Sequence, residues 1–147
     1  MESEVTPLGA EHVRDLMALE GKCFAYHWTQ EQFLLGLERS AFQVLGIYRK
    51  GILAGYIAFS IIEDEMEILN LAVHPDFRRQ GLGEKLLKES FRVCNENNVR
   101  KSFLDVKVSN EPALGLYRKF GYKKIGVRKK YYPDTREDAL LFRYDFT

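Results

Sequence analysis

The 147-residue chain has only two cysteines, Cys23 and Cys94, far apart and in neither a Cys-x-x-Cys nor a Cys/His metal spacing. A disulfide framework and a structural zinc site therefore have no support, and both thiols are expected reduced and buried. Neither charge is in excess. With 22 Lys and Arg against 21 Asp and Glu, no global field gathers nucleic acid or anionic lipid, so any anion site must be local. No apolar run approaches the length of a bilayer span, and the opening MESEVTPLGAEHV lacks the basic and apolar regions of a leader. The expectation is a soluble, cytoplasmic monomer with no membrane or nucleic-acid partner. Proline is scarce, and its four copies sit where elements would begin or end. No repeat, low-complexity tract or linker interrupts the chain. A hydrophobic content of 46% is enough for one core, so residues 1–147 are expected to form a single domain.

What is present is regular patterning. Val13, Leu16, Met17 and Leu19 have helical spacing, and Thr29 ahead of Glu31, Phe33, Leu34 and Leu37 predicts a capped second helix, with a loop from Lys22 to Trp28 between them. Phe42 to Tyr48 and Leu53 to Ile61 predict strands joined as a hairpin through Lys50-Gly51. A third strand runs from Met66 to Val73 and stops at His74-Pro75. After Arg78-Arg79-Gln80-Gly81-Leu82-Gly83 an amphipathic helix is predicted from about Glu84 to Asn95. Ser102 to Val108 predicts a strand, Pro112 to Phe120 a helix ended by Gly121, and Tyr122 to Arg128 and Ala139 to Phe146 the last strands. The sum is α/β with mostly antiparallel strands.

The order strand, glycine loop, helix suits a phosphate. In Arg78-x-x-Gly81-x-Gly83 the glycines let backbone N–H groups approach an anion, and the following helix adds the positive end of its dipole. A tight strand-to-helix turn with no ligand gives the same pattern. A dinucleotide fold would put this turn after the first strand of a parallel sheet, whereas here a hairpin precedes it. The Walker pattern also fails, because no Gly-Lys-Ser or Gly-Lys-Thr follows.

Leu71-Ala72-Val73-His74-Pro75-Asp76-Phe77-Arg78-Arg79-Gln80-Gly81-Leu82-Gly83 closely resembles the strand and Arg/Gln-x-x-Gly-x-Gly/Ala loop of the GNAT acetyltransferases. Asn110, Ala113, Leu116, Tyr117 and Phe120-Gly121-Tyr122 match the second mark of that family in order. The resemblance covers nearly the whole chain and implies a mixed, mostly antiparallel sheet of six to seven strands flanked by about four helices. His27-Trp28-Thr29, Tyr131-Tyr132-Pro133 and Arg136-Glu137-Asp138-Ala139 are similar to the RimI-type branch, which acetylates the N-terminal alanine of a small-subunit ribosomal protein. Eukaryotic and archaeal N-terminal acetyltransferases share parts of this pattern.

The resemblance implies acetyl-CoA as cosubstrate and no metal. Leu71, Ala72 and Val73 would hydrogen bond its pantetheine arm, with an N–H near Ala72 facing the thioester oxygen. Arg78, Arg79, Gln80, Gly81, Leu82, Gly83 and Glu84 would hold its pyrophosphate, and Asn110 would touch it beside the next helix. The branch has a glutamate base in a Leu-Glu-Val setting where this chain has Leu104-Asp105-Val106. Aspartate shortens the reach by roughly 1.5 Å, so a bridging water or a backbone shift is required. Glu65 and Glu67 are reserve bases, or belong with Glu63 and Asp64 to an acidic rim that attracts cationic N-termini. Tyr117 matches the general acid for the departing thiolate, and Trp28, Tyr131 and Tyr132 would border the acceptor. An α-amino acceptor titrates near 7.7 to 8.0 and needs only a modest base, unlike lysine near 10.4. Two other readings stay open: acetylation of lysine or a small amine, and a CoA-binding module without catalysis.

Overall fold

In the computed structural model, which describes residues 4–24 and 28–146, one seven-stranded sheet carries four helices. In chain order the elements are β1 (Thr6–Leu8), α1 (Val13–Cys23), α2 (Gln30–Glu38), β2 (Gln43–Arg49), β3 (Ile52–Ile62), β4 (Glu65–Val73), α3 (Leu82–Glu96), β5 (Lys101–Lys107), α4 (Glu111–Lys119), β6 (Lys123–Arg128) and β7 (Ala139–Asp145). The sheet order is β1-β2-β3-β4-β5-β7-β6, antiparallel throughout except for the parallel pair β4·β5. The expected fold class is borne out.

Local chemistry sets the boundaries. Lys50 (φ 52°) and Gly51 (φ 76°) both take positive φ, the two-residue turn whose twist suits a tight hairpin between β2 and β3. Thr29 caps α2, its hydroxyl accepting from Gln32 N–H at 3.2 Å while the Gln32 side chain accepts from Thr29 N–H at 2.7 Å. Tyr122 lies outside β6 because its N–H closes the end of α4 on Tyr117 C=O, with Gly121 at φ 96° making the turn. Strand β1 was not foreseen. It has three residues and contains Pro7, a composition tolerated only at a sheet edge, which is where β1 lies.

The sheet separates two apolar clusters. Ile57, Phe59, Met66 and Ile68 meet Leu82, Leu86, Leu87 and Cys94 of α3 on one face, together with Leu104, Val106, Leu114 and Phe142. On the other face, Val44, Tyr56, Ala58 and Ala72 meet Leu16 and Leu19 of α1 and Phe33 of α2. Each fully buried leucine here contributes about 2 kcal/mol. Cys94 is buried as expected, but Cys23 is only partly buried, because the last residue of α1 lies at the border of its cluster. No described helix is long and apolar enough to cross a membrane.

Two irregularities in the middle of the sheet position the site. Ala58 faces Asn70 and Phe59 faces Ile68, so Leu69 is an extra residue bulged into β4. After the bulge, β4 follows β3 as far as Val73, whereas β5 follows β7 as far as Lys107. Strands β4 and β5 pair only from Glu65–Lys101 to Ile68–Leu104. Beyond Ile68 and Leu104 the two strands part, and a V-shaped splay opens between them.

Candidate functional site

The glycine loop forms the helix start that its sequence predicts, but earlier than expected. Gly81 takes the left-handed conformation (φ 75°, ψ 16°) at the N-cap, so α3 begins at Leu82 rather than near Glu84. Lys85 N–H closes the first turn on Gly81 C=O at 3.1 Å. The N–H groups of Leu82, Gly83 and Glu84 precede that first bond, and no capping side chain covers them. Together with the helix dipole they suit a pyrophosphate. The Leu82 side chain is buried in the core, so only its backbone is offered to this side. Arg79 also has positive φ (63°), and Arg79 and Gln80 are exposed. Arg78 turns back, donating from Nε to Val73 C=O at 3.3 Å. Glu84 is held by Lys119 at 2.9 Å and Lys88 at 3.6 Å, and its hydrogen bond to Lys119 lowers its pKa.

The direction of the β4 backbone follows from ladder parity. His74 N–H bonds Ala54 C=O at 2.7 Å, and antiparallel pairs alternate between bonded and non-bonded. Ala72 opposite Tyr56 is then a bonded pair, while Leu71 opposite Ile57 and Val73 opposite Gly55 are not. The N–H of Ala72 is spent on β3. Leu71 and Val73 turn their backbone groups toward the splay. Leu71 N–H meets the Asn70 Oδ1 at 3.1 Å, and Val73 C=O accepts both Arg78 Nε and, at 3.4 Å, the Cys23 thiol.

Across the splay, Asp105 is exposed on the sheet face opposite α3, since its neighbours Leu104 and Val106 point into the core. A cavity of about 320 Å³ is lined by Asp105 with Glu67, Phe103, Ile125, Arg128, Tyr131 and Leu141. Glu67 sits opposite Phe103 in the parallel register and is exposed, as is Glu65. The structure therefore brings Asp105, Glu67 and Tyr131 to one hollow. A cavity of about 380 Å³ lies at the other end of β5, between Asp64, Arg100, Lys101 and Arg143, away from the splay.

The motif residues between β6 and β7 build the wall of this hollow. Tyr131 packs edge to face on Tyr132 at 5.2 Å and lies under the Arg128 guanidinium at 5.3 Å. Tyr132 N–H donates to Glu137 C=O at 3.3 Å, and Arg136 N–H returns to Tyr132 C=O at 2.8 Å. Asp138 accepts from Lys130 N–H at 2.9 Å, and Glu137 accepts from Ser109 N–H at 3.2 Å. The similarity over Arg136-Glu137-Asp138 thus marks a turn that fixes the two tyrosines. Burial first, and the charge of Asp105 second, push Tyr132 up to about 12.

Tyr117 is buried on α4, its ring 5.6 Å from that of Tyr122. Burial and then Tyr132 push its phenol well above the usual range. Its hydroxyl makes no hydrogen bond with a described residue. Asn110 caps α4, its Oδ1 accepting from Ala113 N–H at 3.3 Å, so its oxygen has a structural task beside the expected cofactor contact. Trp28 packs between Phe33 at 5.0 Å and Phe42 at 5.2 Å, anchoring the start of α2. His27, the first residue of its motif, lies outside the described residues.

Sequence reading missed Lys107, whose ammonium stands 5.2 Å from the Tyr132 ring centre and pairs with Asp134 at 2.7 Å. Its place two residues after Asp105 on β5 was the available signal. It also missed Glu20, Tyr56 and Asn70, which meet only through folding. No group of three or more potential metal ligands occurs among the described residues.

Residues 13–122 match the acetyltransferase (GNAT) family. A Bacillus subtilis protein, provisionally named a ribosomal protein bS18 alanine N-acetyltransferase, is 39% identical over 132 residues, covering 89% of this chain and 87% of that one. The Escherichia coli K12 ribosomal protein bS18 alanine N-acetyltransferase is 30% identical over 125 residues, covering 84% of each. A crystal structure of the Escherichia coli ribosomal-protein-S18-alanine N-acetyltransferase superposes with a TM-score of 0.90 at 27% identity, covering 97% of this chain and 93% of that one. The chain belongs to the acetyltransferase (GNAT) family and is an N-acetyltransferase.

Proposed function

We propose that this protein transfers the acetyl group of acetyl-CoA to the N-terminal amine of a protein, the N-terminal alanine of a small-subunit ribosomal protein, by direct attack of the amine on the thioester. The observation that carries this reading is the hollow at the mouth of the splay, where Asp105, Glu67 and Tyr131 border one cavity. The names of the Bacillus subtilis and Escherichia coli relatives support the same acceptor. Residues 1–147 are read as one such domain, with β6 and β7 completing the sheet beyond the family match.

The backbone fits the cosubstrate. The splay-facing groups of Leu71 and Val73 suit an amide-containing arm, and the uncapped N–H groups at the start of α3 suit a pyrophosphate. Bound acetyl-CoA supplies the acetyl group as a thioester. Ladder parity favours Leu71 and Val73 as the N–H donors near Ala72 for the acyl oxygen, because Ala72 N–H is engaged with β3. Asp105 takes the proton of the attacking amine, directly or through one water, and Glu67 adds negative potential that draws a cationic N-terminus. Tyr117 keeps its proton at neutral pH and offers it to the departing sulfur. Tyr131 and Tyr132 wall the acceptor, and Trp28, packed on Phe33, anchors the start of α2 on which the acceptor would lean.

The test mixes the protein with acetyl-CoA and an alanine-initiated peptide, with a lysine peptide and a polyamine as competitors. CoA thiol release with the alanine peptide, weakly inhibited by the competitors, is expected. Release only with the lysine peptide or polyamine would sink the N-terminal reading.

A further inference from the structure

Glu20 lies in the last turn of α1 with no exposed surface, among Leu16, Leu19 and Phe33. Its Oε1 accepts the Tyr56 hydroxyl and, at 2.8 Å, the Asn70 side-chain amide. The same Asn70 Nδ2 reaches the Tyr56 oxygen at 2.8 Å. Burying a carboxylate is costly unless donors surround it, and a well-packed apolar residue usually stabilises such a position at least as well. Stability alone is a poor account of Glu20.

What the cluster holds is the bulge in β4. Asn70 directly follows the extra residue Leu69, and Tyr56 faces Ala72 across the ladder. The other end of the Asn70 amide, Oδ1, accepts Leu71 N–H at 3.1 Å. That N–H is one of those ladder parity turns toward the splay. Asn70 Oδ1 fixes the direction of the Leu71 N–H, which an acyl oxygen in the splay would share, and Glu20 and Tyr56 keep the Asn70 amide from swinging. We infer that Glu20, acting through Asn70, is a positioning residue for acyl transfer: the Glu20–Tyr56–Asn70 cluster aims the Leu71 amide into the splay. This rests on the splay being the site of acyl transfer. It also ties the last turn of α1 to the strand that holds the donor.

The test uses the full chain with Glu20→Gln, Asn70→Ala, the double variant and Tyr56→Phe, with acetyl-CoA and the alanine peptide. Glu20→Gln and Asn70→Ala each lower kcat roughly tenfold per folded molecule while KM for acetyl-CoA stays within about twofold. The double variant falls no further than the worse single, because the two residues act as one unit. Multiplicative losses, or singles with the parent's kcat, overturn the inference. Should Asn70→Ala not fold, Tyr56→Phe keeps the ring and removes one donor, and an unchanged kcat there overturns it equally. A second readout needs no turnover: Glu20→Gln shifts the Leu71 amide resonance through the Asn70 side chain that links the two. A stationary resonance overturns the inference even if the parent acetylates no peptide, an outcome that would by itself defeat only the proposed acceptor.

Discussion

Lys107 and Asp134 form a 2.7 Å ion pair that fastens the turn after β6 to β5, two residues from Asp105, and the same ammonium faces the Tyr132 ring. Both partners are partly exposed, so water screens the pair and it adds little to stability. Its larger effect is on where Tyr132 stands. Lys107→Ala is expected to raise the acceptor KM roughly three- to tenfold with little change in thermal midpoint. Initial rates against peptide concentration check this, and an unchanged KM would detach Tyr132 from acceptor binding.

Asp105, the carboxylate proposed to take the proton of the amine, reaches one methylene less far than the glutamate of the resembling branch. Asp105→Asn is expected to lower kcat by roughly 10² to 10⁴ with a small rise in KM. Asp105→Glu restores the reach and keeps or improves the rate. Should Asp105→Asn turn over normally, the role passes to Glu67, which borders the same cavity.

Most of this was legible because local signals carried it. The glycine loop, the Lys50-Gly51 hairpin and the Thr29 cap are short-range chemistry, and each formed where its residues said. Element ends slipped where a backbone bond outside the pattern decided them, as with Tyr122 closing α4 and Gly81 starting α3 early. Strand β1 has three residues and no alternation long enough to read. The parity of β4 needs the register with β3, so which N–H near Ala72 turns toward the splay could not be read from the sequence. Glu20 carries no signal in the sequence and becomes a buried acceptor only because Tyr56 and Asn70 arrive from 36 and 50 residues away.

Gly81 separates conformational from steric effects. A Cβ there meets no atom within 4 Å, yet its φ of 75° is left-handed. Gly81→Val therefore costs about 1 to 2 kcal/mol through backbone strain rather than a clash. It also shifts the N–H groups that open α3. Calorimetry is expected to show CoA binding at least tenfold weaker, with Gly81→Asn losing less because asparagine tolerates this conformation. Equal affinities in all three proteins would remove the loop from the anion site.

The tyrosines give the protein an alkaline limit. Tyr48, pushed up by burial and then by its hydrogen bond to Asp15, and Tyr132, pushed up by burial, both titrate at about 12 in the fold. Burial holds Tyr117 and Tyr122 higher still. In the unfolded chain all four lose their protons near 10. Below pH 10 both states are protonated and the stabilisation is fully present. Above it the unfolded state binds fewer protons than the folded one, so stability falls as pH rises from about 10 through 12. Denaturant midpoints between pH 8 and 11.5 should trace this fall, and Tyr117→Phe should make it shallower by removing one titrating group. The same variant is expected to lower kcat at every pH in that range with an unchanged acceptor KM, because the proton it removes is still on the parent's phenol throughout. A variant that flattens the stability curve but leaves kcat intact would make Tyr117 a core residue and not the acid.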